Sequence, residues 1–368
     1  MNELELWTAD LFHEGSPGSS NDALLTNGTI ILDIGSLHDL QHSYPNAKPI
    51  WKGAYLGVPL VNSHTHLDLG YAKTFRGPFD EFIRYVISLS GQRGLDAAAS
   101  AFGKVPQSIV GDIASRPEVV DWWLLETRGS GVVYWEVLGL LPPEKENELL
   151  QLTRSRLERW KSMEKSGGPQ IGLSPHAPYS LSPSLMIGLV ELAHDMGLPL
   201  QIHAAESPAE HDFFVRRTGP LYDLFKSQGW PVDMHPKGLS PVAYLADIGA
   251  LGEQVTLVHG VQVNEEDVRI ISQFGSRLVS CPRSNEHLGA GLPPYDLYKK
   301  HNVNISLGTD SIASAPSLDV RDELKFLAKH GYDMAETVTW AAGNAYHNLS
   351  LPPVTFSPGD PISKLEIW

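Results

Sequence analysis

Between Pro59 and Tyr346, short apolar runs alternate with stretches whose apolar residues recur at helical spacing. The runs fall at 60–61, 108–111, 131–135, 170–173, 199–202, 255–258, 277–280 and 304–307. Between them lie helix candidates such as 183–196, 265–274 and 318–330, the first two preceded by the capping residues Ser182 and Asn264. Eight strands alternating with helices predict an α/β fold, a parallel (β/α)8 TIM-type barrel. A doubly wound open sheet is the alternative. It would carry a glycine-rich nucleotide turn after its first strand, where this chain has His64-Thr65-His66.

The flanks have another texture. Residues 1–58 are rich in Gly, Ser, Asn and Pro, with β-type runs such as Thr29-Ile30-Ile31-Leu32, and read as short strands and turns. Residues 347–368 are similar, with Pro358-Gly359-Asp360-Pro361 marking a turn before Leu365-Glu366-Ile367-Trp368. The two ends are expected to pair as one small composite β domain, leaving residues 59–346 as the barrel.

Composition narrows the function classes. With 42% hydrophobic and 19% charged residues the chain reads as a globular protein able to bury a large core. The net charge of −15 opposes general affinity for nucleic acid or anionic membrane. It leaves room for a small anionic substrate held by one local arginine. Acids near the N-terminus, Glu3 and Glu5, stand where a signal peptide needs bases, and no run is long enough to span a membrane. A single cysteine, Cys281, fits a reducing compartment. The expected location is the cytoplasm.

A (β/α)8 barrel carries its chemistry at the C-terminal ends of its strands. Here those ends hold His64 and His66, then Asp112, then Glu136, then Ser174-Pro175-His176-Ala177-Pro178-Tyr179. The later ones hold His203-Ala204-Ala205-Glu206, His259, Cys281-Pro282-Arg283-Ser284-Asn285 and Gly308-Thr309-Asp310-Ser311. Singly, each is explained as a cap or a satisfied buried histidine. His64 and His66, one residue apart on a strand, point the same way, a geometry that suits a bound metal ion. Histidines at several strand ends, with a carboxylate on the eighth, are harder to explain as caps.

The distributed pattern of His-Thr-His on the first strand, His-x-x-Glu on the fifth, His on the sixth and Asp on the eighth resembles the amidohydrolase superfamily. Within it the chain is similar to the mononuclear-metal aminohydrolases, which include nucleoside deaminases and triazine hydrolases. The resemblance implies that His64, His66, His203 and Asp310 ligate one Zn²⁺ or Fe²⁺. It makes Glu206, His259 and Asp310 the catalytic residues. Binuclear relatives need a lysine on the fourth strand; His176 stands there instead, which favours one metal and deamination over amide hydrolysis. In related nucleoside deaminases the His-Ala-Pro-Tyr histidine lies near the sugar, so His176 is expected to contact substrate.

The run Ser280-Cys281-Pro282-Arg283-Ser284-Asn285-Glu286-His287-Leu288 is similar to the Cys-Pro-x-Ser-Asn-x-x-Leu run of nucleoside-type deaminases. With Gly-Thr-Asp-Ser-Ile-Ala-Ser and Leu318-Asp319-Val320-Arg321-Asp322-Glu323-Leu324, it looks most like the aminodeoxyfutalosine deaminase family of the alternative menaquinone pathway. That resemblance implies a 6-aminopurine nucleoside bearing a benzoate, converted to its 6-oxo form with release of ammonia. Arg283 is then the expected carboxylate partner, and Asn285 a further substrate contact. The alternatives are a deaminase of S-adenosylhomocysteine, methylthioadenosine or adenosine, a triazine-type ring hydrolase, or a degenerate barrel that binds without turnover. The presence of all expected ligands and acid–base residues disfavours the last.

About forty residues separate His66 from the second strand, which implies a reduced lid relative to larger relatives. Asp68 is read as a loop cap, Trp122, Trp123 and Trp135 as candidate stacking surface, and Cys281 as structural or pocket-lining. Family members are often dimers, which allows a homodimer; no exposed apolar stripe marks an interface.

Overall fold

The computed structural model describes residues 3–15, 20–139 and 141–368. Met1 and Asn2 of the N-terminal stretch, residues 16–19 of the Gly- and Ser-rich region, and Leu140 lie outside the described residues.

Eight parallel strands stand side by side in chain order: β1 (Val61–Thr65), β2 (Ile109–Ala114), β3 (Ser130–Val137), β4 (Gln170–Pro175), β5 (Leu200–Ala204), β6 (Val255–His259), β7 (Arg277–Ser280) and β8 (Ile305–Leu307). A parallel bridge between Thr65 and Asp310 brings the last strand back to the first, so the sheet is a nearly closed barrel. Every residue of β1, β2, β5 and β6 is buried, as expected of parallel strands covered on both faces. Among the described residues no helix is long and apolar enough to cross a membrane.

The expected helices form with small shifts. Residues Pro183–Met196 are helical, and the Ser182 side chain accepts from Leu185 N. Residues Glu265–Gln273 start on a capping box made by Asn264 and Asp267. The third helix runs from Val320 to Lys329 and not from Leu318, because Asp319 takes the capping position and accepts from Arg321 N. The region read as strands and turns also contains a helix, Leu37–Ser43, capped by Ser36. Seven residues are too few to show a helical period.

Glu366–Ile367 lies antiparallel to Tyr55–Gly57, which in turn pairs with Leu11–His13. A second sheet is ordered Ile31–Gly35, Ala23–Thr26, Glu5–Thr8, Lys48–Trp51. The Glu366 carboxylate also accepts from Leu60 N at 2.7 Å, tying this layer to the entry of β1.

The seam between β1 and β8 is held by polar groups inside the barrel. Asn62 Nδ2 donates to Thr309 Oγ1 at 2.8 Å, and Thr309 N donates back to Asn62 Oδ1 at 3.0 Å. Both Thr309 N and Asp310 N donate to His64 O, at 3.1 and 3.0 Å. The backbones approach so closely that a Cβ on Gly308 would lie 2.7–2.9 Å from His64 Cβ, N and O. Gly308→Ala should therefore destabilise the protein by about 1–3 kcal/mol, the usual cost of overpacking, measured as a lower urea midpoint at unchanged m-value.

Candidate active site

At the C-terminal end of the barrel, β1, β5, β6 and β8 deliver His64, His66, His203, His259 and Asp310 to one place. The ligand atoms of His64, His203 and His259, and those of His64, His66 and Asp310, each fall within 4.8 Å of one another. His66 Nε2 and His203 Nε2 are 3.2 Å apart, and Asp310 Oδ1 lies 3.9 Å from His64 Nε2 and 3.7 Å from His66 Nε2. Three residues at these strand ends, Ala205, His259 and Asp310, adopt positive φ of 53°, 77° and 59°. Non-glycine residues pay for that conformation, and such strain concentrates where function over-determines geometry.

Neighbouring groups decide which imidazole nitrogen carries the proton. Gln201 Nε2 donates to Ser63 O at 2.8 Å, so its Oε1 is the atom that accepts from His64 Nδ1 at 2.8 Å. His203 Nδ1 donates to His176 O at 2.8 Å, and His259 Nδ1 to Asn285 Oδ1 at 2.8 Å. In all three rings the proton sits on Nδ1 and the Nε2 lone pair is directed inward. His64 Nε2 is buried without a hydrogen-bond partner. Burial pushes His64, His66, His203 and His259 down, His259 to about 4. Neutral imidazoles with converging lone pairs are what a divalent cation requires. Ser284 Oγ and Ser314 Oγ each donate to Asp310 Oδ2 at 2.7 Å, leaving Oδ1 facing the histidines. The donor set of three imidazoles and a carboxylate fits one such ion.

Glu206 follows β5 and lies 3.6 Å from His259 Nε2. The loop that carries it is fixed by Glu210, which accepts from Ala205 N at 3.0 Å and Glu206 N at 2.7 Å. Burial, with Asp310 and Glu210 nearby, pushes the Glu206 carboxyl well up. These groups open into a cavity of about 480 Å³, whose outer wall is apolar: Phe79, Phe82, Val86, Leu138, Phe225 and Trp230. Four of the six lie on the helices Phe79–Ser88 and Pro220–Ser227; Leu138 lies just past β3 and Trp230 follows the second helix. The short segment after β1 thus still supplies one side of the cavity.

Several expectations are corrected. Arg283 does not line the cavity: its Nε donates to Glu323 Oε1 at 2.8 Å, its backbone N to Glu323 Oε2 at 3.0 Å, and Nη2 to Ser317 O at 2.8 Å. Withdrawing it would strand a fully buried carboxylate at about 3–5 kcal/mol, more than the roughly 1.5–3 kcal/mol a charged hydrogen bond returns. Asn285 is also off the cavity, and its Oδ1 accepts from His259 Nδ1. Asp112 lies within β2 and not at its end; it accepts from Thr65 Oγ1, Leu67 N and Trp123 Nε1. Trp123 is therefore structural, Trp122 packs on Phe102, and of the three tryptophans only Trp135 reaches the cavity. Cys281 is buried and not among the cavity residues. His176 does line it, with Nδ1 2.7 Å from Ser180 Oγ, and burial takes it down to about 3.

Sequence reading missed Gln201, Ser284 and Ser314 as supports, and Arg93, Arg116 and Glu136 as cavity groups in their own right. A signal existed for Gln201: it is a buried polar residue two places before His203, on the same strand face. Asp68 is more than a cap. It accepts from Arg93 Nε and Nη2 at 3.0 and 2.9 Å and from Ser115 Oγ at 2.5 Å.

A nearly closed (β/α)8 barrel with a His/Asp cluster at its C-terminal end is the architecture of a metal-dependent hydrolase, and residues 59–354 match the Amidohydrolase family. The chain belongs to that family. It is 36% identical over 333 residues to the aminodeoxyfutalosine deaminase of Deinococcus radiodurans, a match covering 87% of this chain and 79% of that one. Among solved structures it resembles Helicobacter pylori aminofutalosine deaminase in complex with methylthio-coformycin, with TM-score 0.76, 21% identity, and coverage of 99% and 92% of the two chains. It also resembles an adenosine deaminase from Xanthomonas campestris with bound zinc, with TM-score 0.67, 18% identity, and coverage of 98% and 84%.

Gln201→Leu should free His64 to adopt the other tautomer. Chelator competition is expected to show metal affinity about 10- to 100-fold weaker, the usual effect of losing a group that orients a ligand.

Proposed function

We propose that this protein is a metal-dependent hydrolytic deaminase that converts a 6-aminopurine nucleoside to its 6-oxo product with release of ammonia, and that the nucleoside is aminodeoxyfutalosine. The observation that carries the reaction is the placement of Glu206, His259 and Asp310 around one donor cluster at the floor of a cavity whose outer wall is apolar. The Deinococcus radiodurans relative supports the substrate. In this reading residues 59–346 are the catalytic barrel, and residues 1–58 with 347–368 form the small β domain. A single buried thiol supports a reducing, cytoplasmic setting.

His64, His66, His203 and Asp310 would hold one Zn²⁺ or Fe²⁺, which when bound supplies the positive charge that makes water acidic enough to ionise near neutral pH. Glu206 takes a proton from the attacking water and delivers it to a ring nitrogen, so that C6 becomes electrophilic. The His259 lone pair, aimed by Asn285, holds the hydrogen of that water. As the C6–O bond forms, Asp310 passes the second proton to the amino group, and the C6–N bond breaks to release ammonia. His176, its Nδ1 engaged by Ser180, keeps Nε2 as an acceptor for substrate.

With Arg283 committed to Glu323, the acid end of the substrate needs another partner. Among the described residues two arginines line the cavity, and Arg93 is already paired with Asp68. Arg116 donates from Nη2 to Ser90 O at 2.7 Å and has no carboxylate partner among the described residues, so it takes this role.

Two outcomes are expected from assays of ammonia release. Glu206→Gln should keep its metal and lose about 10²- to 10⁴-fold in turnover, as general acid–base mutants do; full activity would remove the proton shuttle. Arg116→Ala should raise KM for aminodeoxyfutalosine about 10- to 100-fold and leave that for methylthioadenosine nearly unchanged. Equal effects on both substrates would sink the carboxylate assignment.

A further inference from the structure

Among the described residues that line the cavity, Glu136 is the one carboxylate that the reaction above does not use. It lies on β3, one residue before the strand ends, is 5% exposed and lines the cavity. Its Oε2 is buried and receives no hydrogen bond. The nearest cation, Arg93, stands 3.6 Å away, beyond hydrogen-bond distance, held there by its Nε and Nη2 bonds to Asp68. Asp68 is itself pinned by Ser115 Oγ. Arg93 is thus a fixed counter-charge, close enough to hold a negative group but placed so as not to satisfy its lone pairs. A buried acceptor left in that state is costly unless an occupant supplies the donors.

A second metal ion is a poor candidate for that occupant. Glu136 does group with His176 and His203 within 4.8 Å. Yet His203 has only Nε2 free, since Nδ1 is bonded to His176 O, and that Nε2 already faces His66 Nε2 at 3.2 Å. One lone pair does not serve two ions. The donors must then come from an organic ligand, and a carboxylate edge with two oxygens matches a pair of neighbouring hydroxyls.

We propose that Glu136 is a specificity residue that accepts hydrogen bonds from the vicinal 2′- and 3′-hydroxyls of the substrate's ribose, with Asp68 and Arg93 positioning it. This rests on the nucleoside reading given above and adds to it the point at which the sugar is held. The base then lies toward Glu206 and Asp310 and the 5′ substituent along the apolar wall, with its acid end toward Arg116. Glu136 therefore separates ribonucleosides from dideoxynucleosides and from free bases.

The test pairs one isosteric variant with two ligands. Metal-loaded wild-type protein and Glu136→Gln are compared on adenosine and 2′,3′-dideoxyadenosine, each measured as kcat/KM for ammonia release or as the inhibition constant against aminodeoxyfutalosine. Wild type should favour adenosine about 10- to 100-fold, and Glu136→Gln should erase that preference by weakening adenosine alone. The dideoxynucleoside reports whether the variant remains folded and competent. An equal loss on both ligands, or a wild type indifferent to the hydroxyls, would overturn the role of Glu136 while the deaminase reading stands. A wild type that neither deaminates nor binds any aminopurine nucleoside would overturn both.

Discussion

The structure depends on bringing imidazole nitrogens together, lone pair to lone pair, in a buried place. The ligand atoms of His64, His203 and His259 lie within 4.8 Å of one another, and His64 Nε2 has no hydrogen-bond partner among the described residues. Such an arrangement is unfavourable for neutral rings alone, and the surrounding polar groups exist to impose it. Gln201, the His176 carbonyl and Asn285 each bind an Nδ1 and so turn an Nε2 inward. Ser284 and Ser314 do the same for Asp310 by occupying its other oxygen. The positive φ at His259 and Asp310 is part of the same imposition. Hydrophobic burial around the strands supplies the stability against which this strain is held.

Charge is distributed in the cavity with similar economy. Arg283 lies behind the wall and neutralises Glu323, which is fully buried on helix Val320–Lys329. Arg93 answers Asp68 and, at longer range, Glu136. Arg116 is the cavity cation with no acid beside it among the described residues. The rest of the outer wall is apolar, so a ligand meets polar groups at the floor and at Arg116, with aromatic and aliphatic surface between. That profile suits a long molecule with a polar heterocycle at one end and an acid at the other.

The sequence made the barrel and the metal-ligand candidates legible because both are periodic or positional. Apolar runs of strand length alternate with helical spacing, and strand ends are where barrel chemistry lies. Histidine is rare enough at such ends to be noticed. Position along a strand, however, does not say which way a following loop turns its side chains. Arg283 and Asn285 were located correctly at the end of β7 but not aimed, since their partners, Glu323 and His259, are 40 and 26 residues away in sequence. Arg93 and Arg116 stand in loops without any periodic signal, and their exposure to the cavity follows from packing alone. Glu136 was visible as a strand-end residue; only the missing donors around its carboxylate show that it awaits something.

The seam between β1 and β8 joins residues roughly 250 apart in sequence. His64 and His66 stand on one side of it and Asp310 on the other, so the proposed ligand set is complete only when the ring of strands has closed. An ion held across that joint would act as a clasp: whatever affinity it had for the closed ring would be added to the free energy of closure by mass action. Such long-range pairing is also slow to form. Metal supply during folding would therefore set how long the barrel stays unlatched, with its strand edges exposed to other chains.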